Sequence, residues 1–430
     1  MNGSGQKNRR EFLHESVVIT SFVVAGCATP GGRGERAATQ ARGSSGSAPL
    51  PTGPRFLGTV ELKDPSWIPR LLSNDPAYTK MGEGRNARQY ADLTEFLPKG
   101  PADFDKIESS VHSIGNFFVR TETPDLLGIG QLRHVAIKGL VDKPRTVSIN
   151  EMFAMERDIG VAMLECAGND RYSRFRLMSA AHWSGVPCRK VFDRLGIRPE
   201  ASHVLVTGFD RRKVNEKPGV FAVKSIPGAS WIFSFDDLKR QKAFFATRMN
   251  GAPLTRDHGF PVRLVVPGWY GCASIKWVRE ISFLQADSNT RATAQMQEFA
   301  DRTHQRGRPK FYSEYVAPEV DVAAAPIRVE KWLEPDRSKS YTIIGLLWGG
   351  IEVVDPDLRI TIRHQRSKEV MIDRAPVRRL KRENPLSWQL WAFNWRPESN
   401  GLFSIDLSVE SASVRTRRLD THHYRQVIAL

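Results

Sequence analysis

The chain has 430 residues, 40% hydrophobic and 26% charged, and no run of about 18 apolar residues, which excludes fibrous, globally disordered and polytopic membrane classes. Lys and Arg outnumber Asp and Glu by 63 to 47, and the net charge of +16 suits a phosphate-bearing cofactor, an anionic substrate or an acidic partner as readily as nucleic acid. Four cysteines (Cys27, Cys166, Cys188 and Cys272) are too few for a disulfide scaffold and lack the CxxC spacing of structural zinc.

In chain order, Asn8-Arg9-Arg10-Glu11-Phe12-Leu13 resembles the twin-arginine export motif. It is followed by the short apolar stretch Val17–Gly26, which is too short to span a bilayer but suits a signal sequence. Val24-Ala25-Gly26-Cys27 looks like a lipobox, in which the Cys27 thiol is acylated; the alternative is ordinary signal cleavage near the same place. Residues 1–27 are therefore read as an export signal with a lipobox, and the expected location is the periplasm or cell envelope, lipid-anchored at Cys27. Residues 28–54, rich in Gly, Ser, Ala, Arg and Pro, read as a flexible linker. Cleavage before Cys27 removes three cations and two acids, so the mature chain keeps a charge near +15.

From residue 55 short strands and helices mix without a regular βαβ rhythm. Strands are predicted at Val135–Leu140, Val161–Leu164, His203–Thr207 and Val262–Val266. A helix is predicted to open at Trp183-Ser184-Gly185-Val186-Pro187, with Pro in its first turn, and to close at Gly196. Cys188, Phe192 and Leu195 share one face of it, which makes Cys188 a core residue. Ser234 with Asp236 and Asp237 opens another helix, expected to carry Leu238 and Phe244–Phe245, and a polar helix is predicted over Arg291–Arg306. After Pro318 the texture becomes strand-like, at Tyr341–Leu347, Leu358–Ile362, Ser387–Trp395 and Leu402–Val409, which predicts an all-β sandwich over 318–430. Trp388, Trp391 and Trp395 are spaced like one helix face, whereas their context reads as strand.

The block that carries chemistry is Leu164-Glu165-Cys166-Ala167-Gly168-Asn169-Asp170-Arg171, an apolar strand ending in a thiol and a small turn. A thiolate there suits a soft metal, and nearby arginines would keep it ionised; alone, such a Cys is more often a buried small hydrophobe. Further blocks follow in order: Met249-Asn250-Gly251-Ala252-Pro253-Leu254, then Asp257-His258-Gly259-Phe260-Pro261-Val262-Arg263, then Ile275-Lys276-Trp277-Val278. This ordered set, spanning roughly residues 110–285, resembles the molybdopterin-dependent sulfite oxidase family.

The resemblance implies an α+β chain: a mixed α/β molybdopterin-binding catalytic domain over 55–317, followed by an Ig-like dimerisation sandwich over 318–430. It implies that Cys166 binds molybdenum beside the pterin dithiolene. It further implies that His258 and Arg263 hold the pterin and its phosphate, and that Ser274, Ile275 and Lys276 contact the cofactor. Arg120 and Arg171 match arginines of the substrate pocket, where two guanidinium groups would bind a small oxyanion. A strand-borne His258–Arg263 pair would present both groups at one edge. The chain departs from the family at Thr121-Glu122 and at Thr247, where the family carries Asn-His and a pocket tyrosine, and Glu122 could neutralise Arg120. Cys272 is expected to pack near the cofactor; a Cys188–Cys272 disulfide is the less favoured alternative. No CxxCH motif occurs, so no haem is expected in this chain and a separate c-type cytochrome or similar protein would accept electrons.

The expected function is an exported molybdenum-cofactor oxidoreductase acting on a small substrate such as sulfite, as a homodimer. Two alternatives stand beside it: a molybdopterin-dependent oxide reductase, and a non-catalytic surface lipoprotein binding a partner through the sandwich. Nucleic-acid binding is disfavoured because the basic residues are scattered among acids.

Overall fold

The computed structural model describes residues 53–64, 89–103, 106–121, 132–170, 174–209, 229–303, 307–350, 357–380, 382, 384–410 and 417–430. The export motif, the lipobox with Cys27, most of the linker, Glu122 and Arg171 lie outside these residues. The chain runs through β1 (Arg55–Val60), β2 (His134–Gly139), β3 (Arg145–Ser148), α1 (Ile149–Ala154), β4 (Arg157–Glu165), β5 (Met178–Pro187) and α2 (Cys188–Phe192). Next come β6 (His203–Gly208), β7 (Ser230–Ser234), α3 (Phe235–Arg240), β8 (Phe244–Met249), β9 (Ala252–Pro253), β10 (Arg263–Val265), β11 (Val278–Leu284) and α4 (Ala294–Phe299). The last part holds β12 (Ala323–Leu333), β13 (Lys339–Trp348), β14 (Asp357–His364), β15 (Val370–Pro376), β16 (Arg378–Arg379), β17 (Gln389–Trp395), β18 (Leu402–Glu410), α5 (Arg417–Asp420) and β19 (Gln426–Ala429).

Four sheets organise these elements into an α+β fold. In the first half, β10-β8-β5-β4 form an antiparallel path, and β3-β2-β11-β6-β7 form a mixed sheet in which β11 and β2 run parallel. The second half is a two-sheet sandwich, β1-β12-β13-β17-β16 on one side and β15-β14-β18-β19 on the other. Alternation along β14 turns Leu358, Ile360 and Ile362 inward, the period-2 pattern of a sheet with one wet face. Trp391 and Trp395 lie on β17, with Trp388 immediately before it, so this stretch is strand rather than helix. All three rings are buried, and a Cβ at Gly345 on the neighbouring β13 would collide with the Trp391 ring, so the smallest residue sits beneath the largest.

Helix starts follow their caps. Ser148 and Glu151 form a reciprocal capping box at α1, with both bonds at 3.1 Å. Ser234 Oγ accepts from Asp237 N at 3.0 Å to start α3, and Thr293 Oγ1 accepts from Met296 N at 3.2 Å to start α4.

Four expectations are corrected. Trp183–Pro187 is the end of β5, not a helix: β5 is paired on both edges, Trp183 is fully buried and its Nε1 donates to Ala162 O at 2.9 Å, so ladder bonds outweigh the local helix signal. Pro187 takes the cap position and the helix begins at Cys188. Phe244–Phe245 belong to β8, not to the helix after Ser234, which ends at Arg240. Of the helix expected over Arg291–Arg306, the described residues up to 303 show α4 and a 3-10 turn, Ala300–Arg302, with Arg291 drawn into a bridge with Phe311 instead. Finally, β1 pairs with β12, so the first strand after the linker joins the sandwich rather than the domain expected to begin at residue 55.

Candidate active site and cofactor cavity

β4 delivers Cys166 at its end. Cys166 N donates to Leu177 O at 2.9 Å, which continues the β4–β5 ladder one step, and the chain then turns sharply, with Asn169 N donating to Cys166 O at 2.9 Å. Gly168 N points at Cys166 Sγ from 3.3 Å, and the Asn169 side chain accepts from Leu177 N at 3.1 Å. The thiol is therefore held at a strand end by backbone geometry rather than by a flexible loop.

A second wall is the segment 112–121, which includes the 3-10 turn Ile114–Asn116. Asn250 pins it: its Nδ2 donates to His112 O at 2.7 Å while its Oδ1 accepts from His182 N at 2.9 Å on β5. The Met-Asn-Gly motif is thus a clamp between wall and sheet. Phe118 N donates to Ser179 Oγ at 3.1 Å, leaving Phe117, Phe118, half-buried Arg120 and Thr121 along the cavity.

The third wall comes from the turn before β10 and the loop before β11. Arg263 is the first residue of β10, whereas His258 lies in the preceding turn, so only the arginine is strand-borne. Arg263 Nη1 donates to His258 O at 3.2 Å, and Arg263 stacks 5.8 Å from the centre of the Trp183 ring. Lys276 Nζ donates to Asp257 O at 2.7 Å and to Thr121 O, and lies 4.4 Å from the Trp277 ring centre, which ties this wall to the previous one. Gly259, at φ +103, lies between these side chains: a Cβ there would meet Arg263 Cβ at 3.0 Å and Lys276 Cβ at 3.2 Å. Gly259→Ala should cost about 1–3 kcal/mol in denaturant unfolding through that backbone conformation and push the two cations off their positions. Wild-type unfolding and wild-type molybdenum per protein in this variant would show the cradle to be tolerant.

These walls enclose about 850 Å³ of space, open mouth included. Of the residues singled out from sequence, Cys166, Arg120, His258, Arg263, Ser274 and Lys276 line this one cavity. Ile275 does not: it is buried and its carbonyl accepts from Leu264 N at 2.7 Å, so it braces the loop. Ser274 Oγ likewise accepts from Val266 N at 3.1 Å, so part of its role is internal. Thr247 lies away from the cavity, its hydroxyl donating to Glu156 and, at 3.3 Å, to Ser184 O. Cys188 and Cys272 form no disulfide with each other; both thiols are buried, burial raises the pKa of each, and Cys272 lines the cavity.

Sequence reasoning missed Gln295, Glu298 and Phe299, which line the cavity from α4. Their i, i+3, i+4 spacing puts them on one helix face, the only signal available, and nothing local says what that face meets.

The electrostatics of the cavity are unusual in two places. Burial lowers the His258 pKa to about 4, a shift that the Arg263 and Lys276 charges reinforce and the Ile114 carbonyl and Asp257 oppose. Its ring is neutral at pH 7; because a carbonyl can only accept, Nε2 carries the proton toward Ile114 O at 3.0 Å, leaving Nδ1 an acceptor. Between pH 6.5 and 4 the unfolded chain binds a proton that folded His258 refuses. Its contribution is therefore fully present above pH 6.5 and is lost as pH falls toward 4, by up to roughly 3 kcal/mol. Denaturant titrations of cofactor-free protein at pH 7 and 4.5 should show this loss, and His258→Gln should lessen it; equal losses in both proteins would refute the assignment. His112 and His423, also lowered by burial, add in the same direction.

Arg263 is the second case. It is 6% exposed, its Nε has no partner among the described residues, and burial alone lowers its pKa to about 10. Among the described residues no carboxylate pairs with it. A buried guanidinium with donors to spare is a receptor for an anion.

The comparisons with known proteins follow this geometry. Residues 131–292 match the family model described as the oxidoreductase molybdopterin binding domain. The chain is 29% identical over 203 residues to a sulfite oxidase of Arabidopsis thaliana, covering 42% of this chain and 50% of that protein. It is 26% identical over 238 residues to an NADH nitrate reductase of Volvox carteri, covering 50% of this chain and 27% of that protein. The chain thus spans half or less of the length of these relatives. In fold it is similar to the sulfane dehydrogenase SoxCD of Paracoccus pantotrophus, with a TM-score of 0.53 at 19% identity over 80% of this chain and 89% of that one.

The cavity fits a molybdopterin. The buried Arg263 guanidinium, with its Nε unpartnered among the described residues, suits its phosphate, the His258 and Lys276 wall is polar, and Cys166 presents one soft donor on the same space. Among the described residues no group of three or more His, Cys, Asp or Glu could cage a bare ion, whereas one thiol suffices for a metal that arrives already chelated. Over residues 131–292 the chain carries an oxidoreductase molybdopterin-binding domain similar in sequence to parts of sulfite oxidases and nitrate reductases, and the cofactor of that domain is the molybdenum–molybdopterin group.

Proposed function

We propose that the protein oxidises a small oxyanion such as sulfite by oxygen-atom transfer and passes electrons to a separate cytochrome-like acceptor. The observation that carries this reading is the convergence of Cys166, Arg120, Arg263 and Lys276 on one cavity. When bound, the cofactor supplies two-electron redox chemistry coupled to oxygen transfer. The residues of the chain bind and orient. Arg263 holds the phosphate end through charge-assisted donors, Lys276 adds charge while bridging two walls, and neutral His258 offers Nδ1 as an acceptor. Arg120 faces the same space and would hold an anionic substrate, with Arg171 as its proposed second; Phe117, Phe118 and Phe299 exclude water around it. In balance, sulfite gains one oxygen from water and releases two protons and two electrons, and the electrons leave one at a time.

Two measurements test the reading: molybdenum per protein by elemental analysis, and ferricyanide reduction on adding sulfite. Stoichiometric metal with turnover is the expected result. Metal without sulfite turnover would overturn the substrate, and absence of metal would overturn the site.

The same proposal places the protein outside the cytoplasm, exported by the twin-arginine route, anchored through lipidated Cys27 and dimeric through the sandwich. The motifs at Arg9-Arg10 and Val24–Cys27 and the Ig-like texture after Pro318 support it. No helix among the described residues is long and apolar enough to cross a membrane. Release of Cys27→Ser from the membrane fraction would support the anchor; unchanged fractionation would overturn it.

A further inference from the structure

The turn that carries Cys166 is gripped from behind by the carboxy-terminal part of the chain. Glu165, immediately before the thiol, is completely buried, and its carboxylate accepts four hydrogen bonds. Oε1 accepts from Arg418 Nη1 at 3.1 Å, from Tyr424 OH at 2.8 Å and from Asn169 Nδ2 at 3.1 Å; Oε2 accepts from Trp348 Nε1 at 2.8 Å. Arg418 is 8% exposed and does more than pair with Glu165. Its Nη1 also donates to Tyr424 OH at 2.9 Å, its Nη2 to Ala167 O at 3.4 Å, and its guanidinium carbon lies 4.6 Å from the centre of the Tyr270 ring. His423 Nε2 donates to Asn169 O at 3.3 Å, and Phe175 packs on Tyr424 at 4.9 Å between ring centres.

Residues 165, 167 and 169 of the turn are thus each held by residues 418, 423 or 424. Between these contact points the sulfur is left facing the cavity. Burial disfavours the Arg418 charge, but Tyr424, Glu165 and Tyr270 more than offset it and hold its pKa above the ordinary value. Four hydrogen bonds from four different side chains hold the carboxylate. A buried polar network satisfied in this way is rigid, and partners that orient a metal ligand matter beyond their own stability contribution.

We propose that Arg418, acting through Glu165 with Tyr424, is a positioning residue that sets the aim of the Cys166 sulfur, so that the carboxy-terminal segment tunes the metal centre of the preceding domain. This rests on Cys166 being the thiol that binds molybdenum. The test uses the loaded full-length protein and two variants. Glu165→Gln with Arg418→Met removes both charges together and leaves no lone buried ion; Tyr424→Phe removes a single hydroxyl and serves if the pair substitution does not fold.

Both variants are expected to retain molybdenum, to shift the visible sulfur-to-metal absorption and to lower kcat about 10–100-fold with KM within about twofold, the size of effect that supporting contacts around a metal ligand produce. A merely structural network would lower the melting temperature and leave the absorption in place. Wild-type absorption and kcat in a folded, molybdenum-loaded variant overturn the positioning role alone. A wild-type protein without stoichiometric molybdenum overturns the reading of Cys166 and the proposal with it.

Discussion

Cys166→Ser is expected to abolish electron transfer to ferricyanide by more than about 100-fold, beyond the 10–100-fold typical of residues that only support a metal ligand. Serine keeps the size and the Gly168 N contact, so unfolding free energy should change by about 1 kcal/mol. The cofactor should still be taken up, because the wall proposed to hold its phosphate, Arg263 with Lys276 and His258, is untouched. The variant also separates the two classes of function open to this chain. A partner-binding lipoprotein would keep its binding and show no turnover to lose, whereas the enzyme loses turnover and keeps its fold. Turnover within tenfold of wild type would remove the thiol from the chemistry.

Arg263→Met should act with opposite signs on the empty and the loaded protein. In the empty protein Arg263 is a buried charge without a carboxylate partner among the described residues, and its pKa is pulled down to about 10 by burial alone. Replacing it with an apolar side chain of similar length should leave the cofactor-free protein unchanged or stabilised by about 1–3 kcal/mol, despite losing the 3.2 Å bond to His258 O. Loading should fail in the same variant. Losing two charge-assisted hydrogen bonds to a phosphate, each contributing about 1.5–3 kcal/mol, weakens retention by two to four orders of magnitude. Thermal unfolding of the cofactor-free proteins and cofactor content after purification check both halves. Destabilisation of the empty variant by more than about 2 kcal/mol would mean that Arg263 is structural rather than a receptor.

Local chemistry made much of this protein legible before any coordinates. The caps at Ser148 and Ser234, the period-2 alternation of β14 and the strand ending at Cys166 depend on contacts within a few residues, although only the Ser234 start was foreseen of the two caps. The order of the blocks around Cys166, His258, Arg263 and Lys276 pointed to the cofactor through their resemblance to the molybdopterin-dependent sulfite oxidase family, since each residue alone has a bland structural reading. By contrast, the stretch before Cys188 reads as helix locally and becomes strand because β4 and β8 both claim its hydrogen bonds. The cavity face of α4 has no signature beyond its spacing, since what Glu298 or Phe299 meets is chosen by distant packing.

Side-chain periodicity by itself determined the strand-rich character of the last hundred residues, and donor chemistry marked the thiol at position 166 as a candidate soft ligand, whereas the cofactor class came from the resemblance of the ordered motifs to the molybdopterin-dependent sulfite oxidase family. Only the tertiary structure decided that β1 crosses over to the sandwich, that Ile275 braces rather than lines the cavity, and that Arg418 and Tyr424 hold Glu165 from more than 250 positions away. A buried carboxylate finds its cation wherever folding brings one within reach, and separation along the chain leaves no trace of that in the local pattern.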